Sequence, residues 1–141
     1  MKCVIIDGQG GKMGRMVIEG LKQRAFTGEI YAIGTNSIAT ATMLKAGADH
    51  GATGENPVVR NVVNADLIIG PIGIVVANAI LGEVTPRMAE AVGSSFAHKI
   101  LLPTSGCQVT VAGTRSLPLS EVVSCTIEEA MQFASGAGKE K

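Results

Sequence analysis

The sequence predicts an α/β fold, a three-layer sandwich in which a mostly parallel sheet of five to six strands is covered by helices on both faces. Three observations carry that expectation. Short apolar runs bounded by glycine alternate with stretches of helical periodicity along the 141 residues. Apolar residues make up 46% and charged residues 17%, a balance suited to strands buried on both sides rather than to a disordered chain. Glycine, at 18 residues, gathers where those strands would end.

Residues 2–6 read as the first buried strand. After a glycine-rich turn, Met13, Val17 and Leu21 recur every four residues, and Lys22 and Arg24 stand where a helix C-terminus favours cations. Residues 29–34 form a second strand; Asn36 or Ser37 caps a helix over 38–46, which Gly47 stops. Residues 48–57, with two glycines among Asp49, His50 and Glu55, predict a short third strand and a long loop whose helix is missing or rudimentary. Residues 66–69 make a fourth strand ending in Gly70-Pro71-Ile72-Gly73. The run 74–81, apolar except for Asn78, predicts a helix buried between layers, broken at Gly82. Thr85 followed by Pro86 is an N-cap with proline at the first helical position, opening a helix to about Ser95. Residues 99–102 are a fifth strand. Past the turn 103–106, Val109 and Val111 alternate with polar residues as in a half-exposed sixth, edge strand over 108–112. From Pro118 a last helix aligns Leu119, Val122, Val123, Ile127, Ala130 and Met131 on one stripe. No repeat or linker divides the chain, so residues 1–135 read as a single domain and 136–141 as a flexible tail.

Composition removes several function classes. Basic and acidic residues balance at 12 each and only Phe26, Tyr31, Phe96 and Phe133 are aromatic, which disfavours nucleic-acid binding. The most apolar stretch, 67–81, falls short of the ~20 residues of a membrane span and is cut by Gly70, Pro71 and Gly73. The N-terminal run from Cys3 meets Asp7 at once and reads as a strand, not a targeting segment. Cys3, Cys107 and Cys125 lack C-x-x-C spacing, so neither a metal site nor a disulfide framework is expected, and a reducing cytoplasm fits.

The expected site is the turn Gly8-Gln9-Gly10-Gly11-Lys12-Met13-Gly14. Its glycines fall where a strand must bend, where backbone must approach a ligand, and where a helix must pack closely. Free N–H groups and the positive end of the following helix favour a phosphate, with Lys12 and Arg15 adding cations. The spacing is G-x-G-x-x-x-G, not the standard dinucleotide fingerprint. A P-loop is excluded because Gly11-Lys12 precedes Met13, which has no magnesium-binding hydroxyl. Asp7 reads as a carboxylate that fixes the turn by accepting backbone N–H bonds.

In a dinucleotide site an acid at the end of the second strand holds the adenosine ribose; here that position reads Gly34-Thr35-Asn36-Ser37. With no carboxylate in that run and Lys12 and Arg15 near, a 2′-phosphate is tolerated better, which favours NADP over NAD. Ligands of such sheets bind beyond the strand ends, where 8–14, 34–37, 51–56, 70–73 and 103–106 should meet. That adds Gly70, Pro71, Ile72 and Gly73 to Thr35, Asn36 and Ser37 as cofactor-binding candidates, with Thr104 and Ser105 as further donors. Asn78 should find a partner within the fold, His50 and Asp49 read as exposed, His98 as structural, and Cys107 as a small hydrophobe. No pair with nucleophile-base spacing stands beside the turn, so no catalytic residue is assigned.

The pattern Gly8-x-x-Gly11-x-Met13-Gly14-Arg15 resembles the dinucleotide turn of dihydrodipicolinate reductases, but the histidine-lysine motif of their separate substrate domain has no counterpart here. A longer likeness runs from Ile5-Ile6-Asp7-Gly8-Gln9-Gly10-Gly11 through Gly34-Thr35-Asn36, Met43-Leu44-Lys45-Ala46-Gly47-Ala48-Asp49, Gly51-Ala52-Thr53-Gly54-Glu55-Asn56 and Gly70-Pro71-Ile72-Gly73-Ile74 to Gly82-Glu83-Val84-Thr85-Pro86. Together these motifs resemble a bacterial family of small Rossmann-like proteins of unknown function; the resemblance implies a fold and no activity. Three functions follow as expectations: a nucleotide-binding protein with NADP(H) or another small phosphate-bearing ligand; a non-catalytic sensor or homo-oligomeric, dimer-forming assembly module; and a small NADPH-dependent reductase with an interface active site.

Overall fold

Successive side chains of a strand point to opposite faces, so a strand without polar residues demands apolar cover on both. The first strand, β1 (Lys2–Asp7), is buried from Cys3 onward. Cys3 and Ile5 enter one core, Val4 and Ile6 the other. In this computed structural model, which describes residues 1–104 and 107–136, the remaining elements follow in order: α1 (Lys12–Gln23), β2 (Glu29–Gly34), α2 (Ser37–Lys45), β3 (His50–Thr53), α3 (Glu55–Asn61), β4 (Leu67–Pro71), α4 (Pro86–Ser94), β5 (His98–Leu102) and α5 (Leu119–Ala134).

The five strands form one parallel sheet in the order β3-β2-β1-β4-β5. The order reverses between β1 and β4, the place where open sheets of this kind leave a crevice at their carboxyl ends. Val17, Ile18 and Leu21 of α1, Met43 of α2, and Val122, Val123 and Ala130 of α5 cover the face that carries Cys3, Ile5, Leu67 and Ile69. Val58 of α3 and Met88, Ala89 and Val92 of α4 cover the opposite face, with Val4, Ile6, Ile33 and Ile68. Each fully buried Ile, Leu or Val contributes roughly 1.5–3 kcal/mol over the exposed state.

Three expected features differ. A helix does follow β3: Glu55 opens α3, and Pro57 lies within its first turn, where a missing N–H costs nothing. Val58 and Val62, four residues apart, are its buried stripe. The run 74–81 is not an α-helix. A 3-10 turn (Ile72–Val75) gives way to left-handed residues at Asn78, Ile80 and Leu81. Its apolar content reflects burial of Ile74 and Ala79 against the sheet, not helical periodicity. Asn78 is exposed, in a conformation asparagine accepts more readily than most residues. Among the described residues no sixth strand forms: residues 108–112 are irregular and exposed, and Val109 and Val111 line a groove beside Met13 and Ile72. The sheet is thus wholly parallel. Of the expected tail only Gly136 lies within the described residues.

Candidate functional site

The turn between β1 and α1 is braced from inside. Asp7 ends β1 buried, with Oδ1 accepting from the Gly8 N–H at 2.8 Å and Oδ2 from the Gly14 N–H at 2.8 Å. Burial pushes its carboxyl up, the Gly14 and Gly8 bonds oppose that, the nearby Glu83 charge adds to it, and the net displacement is upward. The turn-fixing role expected of Asp7 is the one it has. Gly11 takes φ +76°, and its N–H closes onto the Gly8 carbonyl at 3.0 Å. A Cβ there would stand 2.9 Å from the Ala39 backbone of α2, so the turn and α2 touch main chain to main chain. Gly14 is likewise buried against Met43.

The outer side of the turn faces a cleft of about 240 Å³ lined by Asp7 and the whole of 8–13, with Pro71, Ile80, Thr104, Cys107 and Leu119. A second groove of about 540 Å³ continues from it, sharing Met13, Thr104 and Leu119 and adding Ile72, Val109, Val111 and Arg115. A Cβ at Gly10 would meet nothing within 4 Å. Among the described residues the N–H groups of Gly10 and Lys12 meet no acceptor. Lys12 lines the cleft and is exposed, and Arg15 is exposed on the first turn of α1.

On the β2 side, sequence reasoning missed a residue. Glu83, from the loop after β4, reaches the end of β2: its Oε1 accepts from the Gln9 N–H at 3.1 Å, the Thr35 hydroxyl at 2.6 Å and the Asn36 side-chain amide at 2.7 Å. A carboxylate therefore does stand where the Thr35-Asn36-Ser37 run supplies none, which corrects the expectation of an acid-free position. Partial burial pushes Glu83 up, but the bonds from Thr35, Asn36 and Gln9 outweigh it and hold the carboxyl below the usual glutamate range. Asn36 caps α2 through Ala39 N–H at 2.9 Å and also donates to the Gln9 carbonyl at 2.9 Å. Gly82 beside Glu83 signals a turn, but nothing local aims residue 83 at residue 9.

Other expected site residues divide. Pro71 lines the cleft and Ile72 the groove. Ser37 is exposed at the first turn of α2. Gly70 sits inside the sheet, where a Cβ would come 2.5 Å from the Ile6 carbonyl, and Gly73 is buried beside Ala79 and Cys107. The 51–56 segment lies outside the cleft lining: Thr53 pairs with Thr40, and Glu55 accepts from Thr85. Thr104 is at the cleft, while Ser105 lies outside the described residues. His50 pairs with Glu29 and lies tilted against the Tyr31 ring at the far edge. The Ile30 N–H holds the Asp49 carboxyl below its ordinary value. His98 opens β5 and stacks on Phe133. Cys3 is buried, its thiol pushed up to about 12 by burial; Cys107 is half-buried in the cleft and Cys125 exposed. Among the described residues no group of three or more His, Cys, Asp or Glu side chains is placed for a metal ion, and no helix is long and apolar enough to cross a membrane.

The family model described as Domain of unknown function (DUF3842) matches residues 2–135. No curated protein matches. Among solved structures, a dodecameric FMN-dependent Ubix-like decarboxylase from Escherichia coli O157:H7 superposes with TM-score 0.47 at 18% identity, over 96% of this chain and 76% of that one. A prephenate dehydrogenase from A. aeolicus, in complex with hydroxyphenyl propionate and NAD+, gives TM-score 0.48 at 15% identity, over 92% and 57%. At these values neither bears on ligand or activity.

Proposed function

We propose that this chain, which belongs to the Domain of unknown function (DUF3842) family, binds a phosphate-bearing nucleotide at the outer face of the Gly8–Gly14 turn. One observation carries the reading: at the β1/β4 reversal of strand order, the open Gly10 backbone and the unspent N–H groups of Gly10 and Lys12 face one cleft. Asp7 already satisfies the inward-facing amides of the α1 start, so the outward ones and the Lys12 ammonium are what remain for an anion. The cleft alone is below the roughly 300–1,000 Å³ of sites that enclose a small ligand. It suits a phosphate, with one part of the molecule extending along the Thr104 and Ile72 groove and another across the turn toward the end of β2. NADP(H), NAD(H) and FMN all belong to this class. Thr35 and Asn36, which in the sequence favour NADP(H), both donate to Glu83.

The test is a thermal-shift panel of NADP+, NADPH, NAD+, FMN, ATP and coenzyme A at millimolar levels. A ligand at a hundred times its Kd stabilises by about 2.7 kcal/mol. At least one should raise the melting temperature, and Gly10→Val, at a cleft-lining position where a Cβ meets nothing within 4 Å, should abolish that rise while leaving the unliganded melting point near wild type. No shift with any of the six, or a shift that survives Gly10→Val, sinks the reading.

A further inference from the structure

We infer that Glu83 reads the ribose of the bound nucleotide, accepting a hydrogen bond from an unsubstituted 2′-hydroxyl and excluding a 2′-phosphate; this rests on the nucleotide-binding reading. In sheets of this strand order the ribose lies at the carboxyl end of the second strand, against an acid there. That end is occupied here by Thr35 and Asn36, and the acid arrives from elsewhere: Glu83 is 48 residues from Thr35 in the chain and 2.6 Å from its hydroxyl in space.

All three of the donors that hold Glu83 converge on one oxygen, Oε1. Among the described residues Oε2 meets no donor, so the half-buried carboxylate is held in place and keeps one acceptor to offer. A hydroxyl can donate to it. A phosphate monoester has only acceptors and negative charge to present, and like charges in contact are costly. Thr35 and Asn36, the neutral donors that would otherwise greet such a phosphate, are engaged: the Thr35 hydroxyl and the Asn36 amide donate to Oε1, and the Asn36 amide donates also to the Gln9 carbonyl. The approach is built in at residue 8: a Cβ there would stand 2.6 Å from Thr35 Oγ1 and 3.1 Å from Glu83 Oε1, so glycine is what lets the carboxylate lie against the turn.

NAD+ and NADP+ differ only in the 2′-phosphate, which makes them the probes. Titration calorimetry on the wild-type chain should show NAD+ binding at least about tenfold more tightly than NADP+, the factor that corresponds to one modest repulsion. Glu83→Gln keeps an oxygen for Thr35 and Asn36 but removes the charge, and the ratio should fall to near one or invert. Wild-type preference for NADP+, or an NAD+ preference that Glu83→Gln leaves within about twofold of its original value, overturns the inference. If Glu83→Gln does not fold, the wild-type ratio decides alone. Should both dinucleotides bind in a Gly10-dependent way with no Glu83-dependent ratio, only the role of Glu83 falls; should neither bind while another nucleotide of the panel does, the role of Glu83 falls and nucleotide binding stands.

Discussion

The inner and outer sides of one seven-residue turn carry the same chemical groups and use them in opposite ways. Inside, Asp7 has both oxygens taken by the amides of Gly8 and Gly14, and Gly11 presses main chain against α2. Outside, Glu83 has one oxygen taken and one spare, and Gly10 presses against nothing. A carboxylate or a glycine is thus neither structural nor functional by type. Burial and the number of lone pairs or N–H groups left over decide which it becomes.

The largest effect that would sharpen this contrast is in stability. Asp7→Ala orphans two buried amides at about 1–3 kcal/mol each, so urea unfolding should show a loss of about 2–6 kcal/mol. Glu83→Ala, at a half-exposed group, should cost no more than about 1 kcal/mol, and equal losses would break the comparison. Next, Gly11→Ala forces a side chain into left-handed backbone against Ala39 and should cost about 1–3 kcal/mol, while Gly10→Ala should be neutral within about 0.5 kcal/mol.

The smallest effect is in pH dependence. Asp7 has its folded pKa raised, so its contribution is fully present below the unfolded aspartate value and lost as pH rises through the folded one. Glu83 has its folded pKa lowered, so its contribution is present above the unfolded glutamate value and lost as pH falls through the folded one. Unfolding between roughly pH 3 and 7 should then show Asp7→Asn losing stability on acidification more steeply than wild type and Glu83→Gln less steeply, each by under about 1.4 kcal/mol per pH unit, the ceiling for one proton.

Where local physics settles the conformation, the sequence was readable. The glycine turn, the Asn36 and Thr85 caps, Pro86 at the start of α4, and the apolar stripes of α1 and α5 all form as their spacing implies. Pro57 misleads because a proline in a first helical turn looks like a proline that ends a loop. The 74–81 run misleads because an all-apolar segment signals burial without signalling a period. Val109 and Val111 alternate as edge-strand residues do, yet their partner is a groove wall and not β5. Glu83 was invisible for a different reason: its meaning comes from a loop whose left-handed residues at Asn78, Ile80 and Leu81 carry it back across the strand ends, and no local pattern encodes that path.

Cys107 gives the cleft a native chemical clock. Of the three free thiols, Cys3 is sealed in the core and Cys125 stands open on α5, so alkylation should leave the first untouched for the life of the fold and consume the second at the pace of a free thiol. Cys107 falls between them in the wall that any occupant of the cleft would cover. Its labelling rate, read by mass spectrometry against the two internal standards, would time the arrival and departure of a ligand on the unmodified protein before that ligand's identity is known.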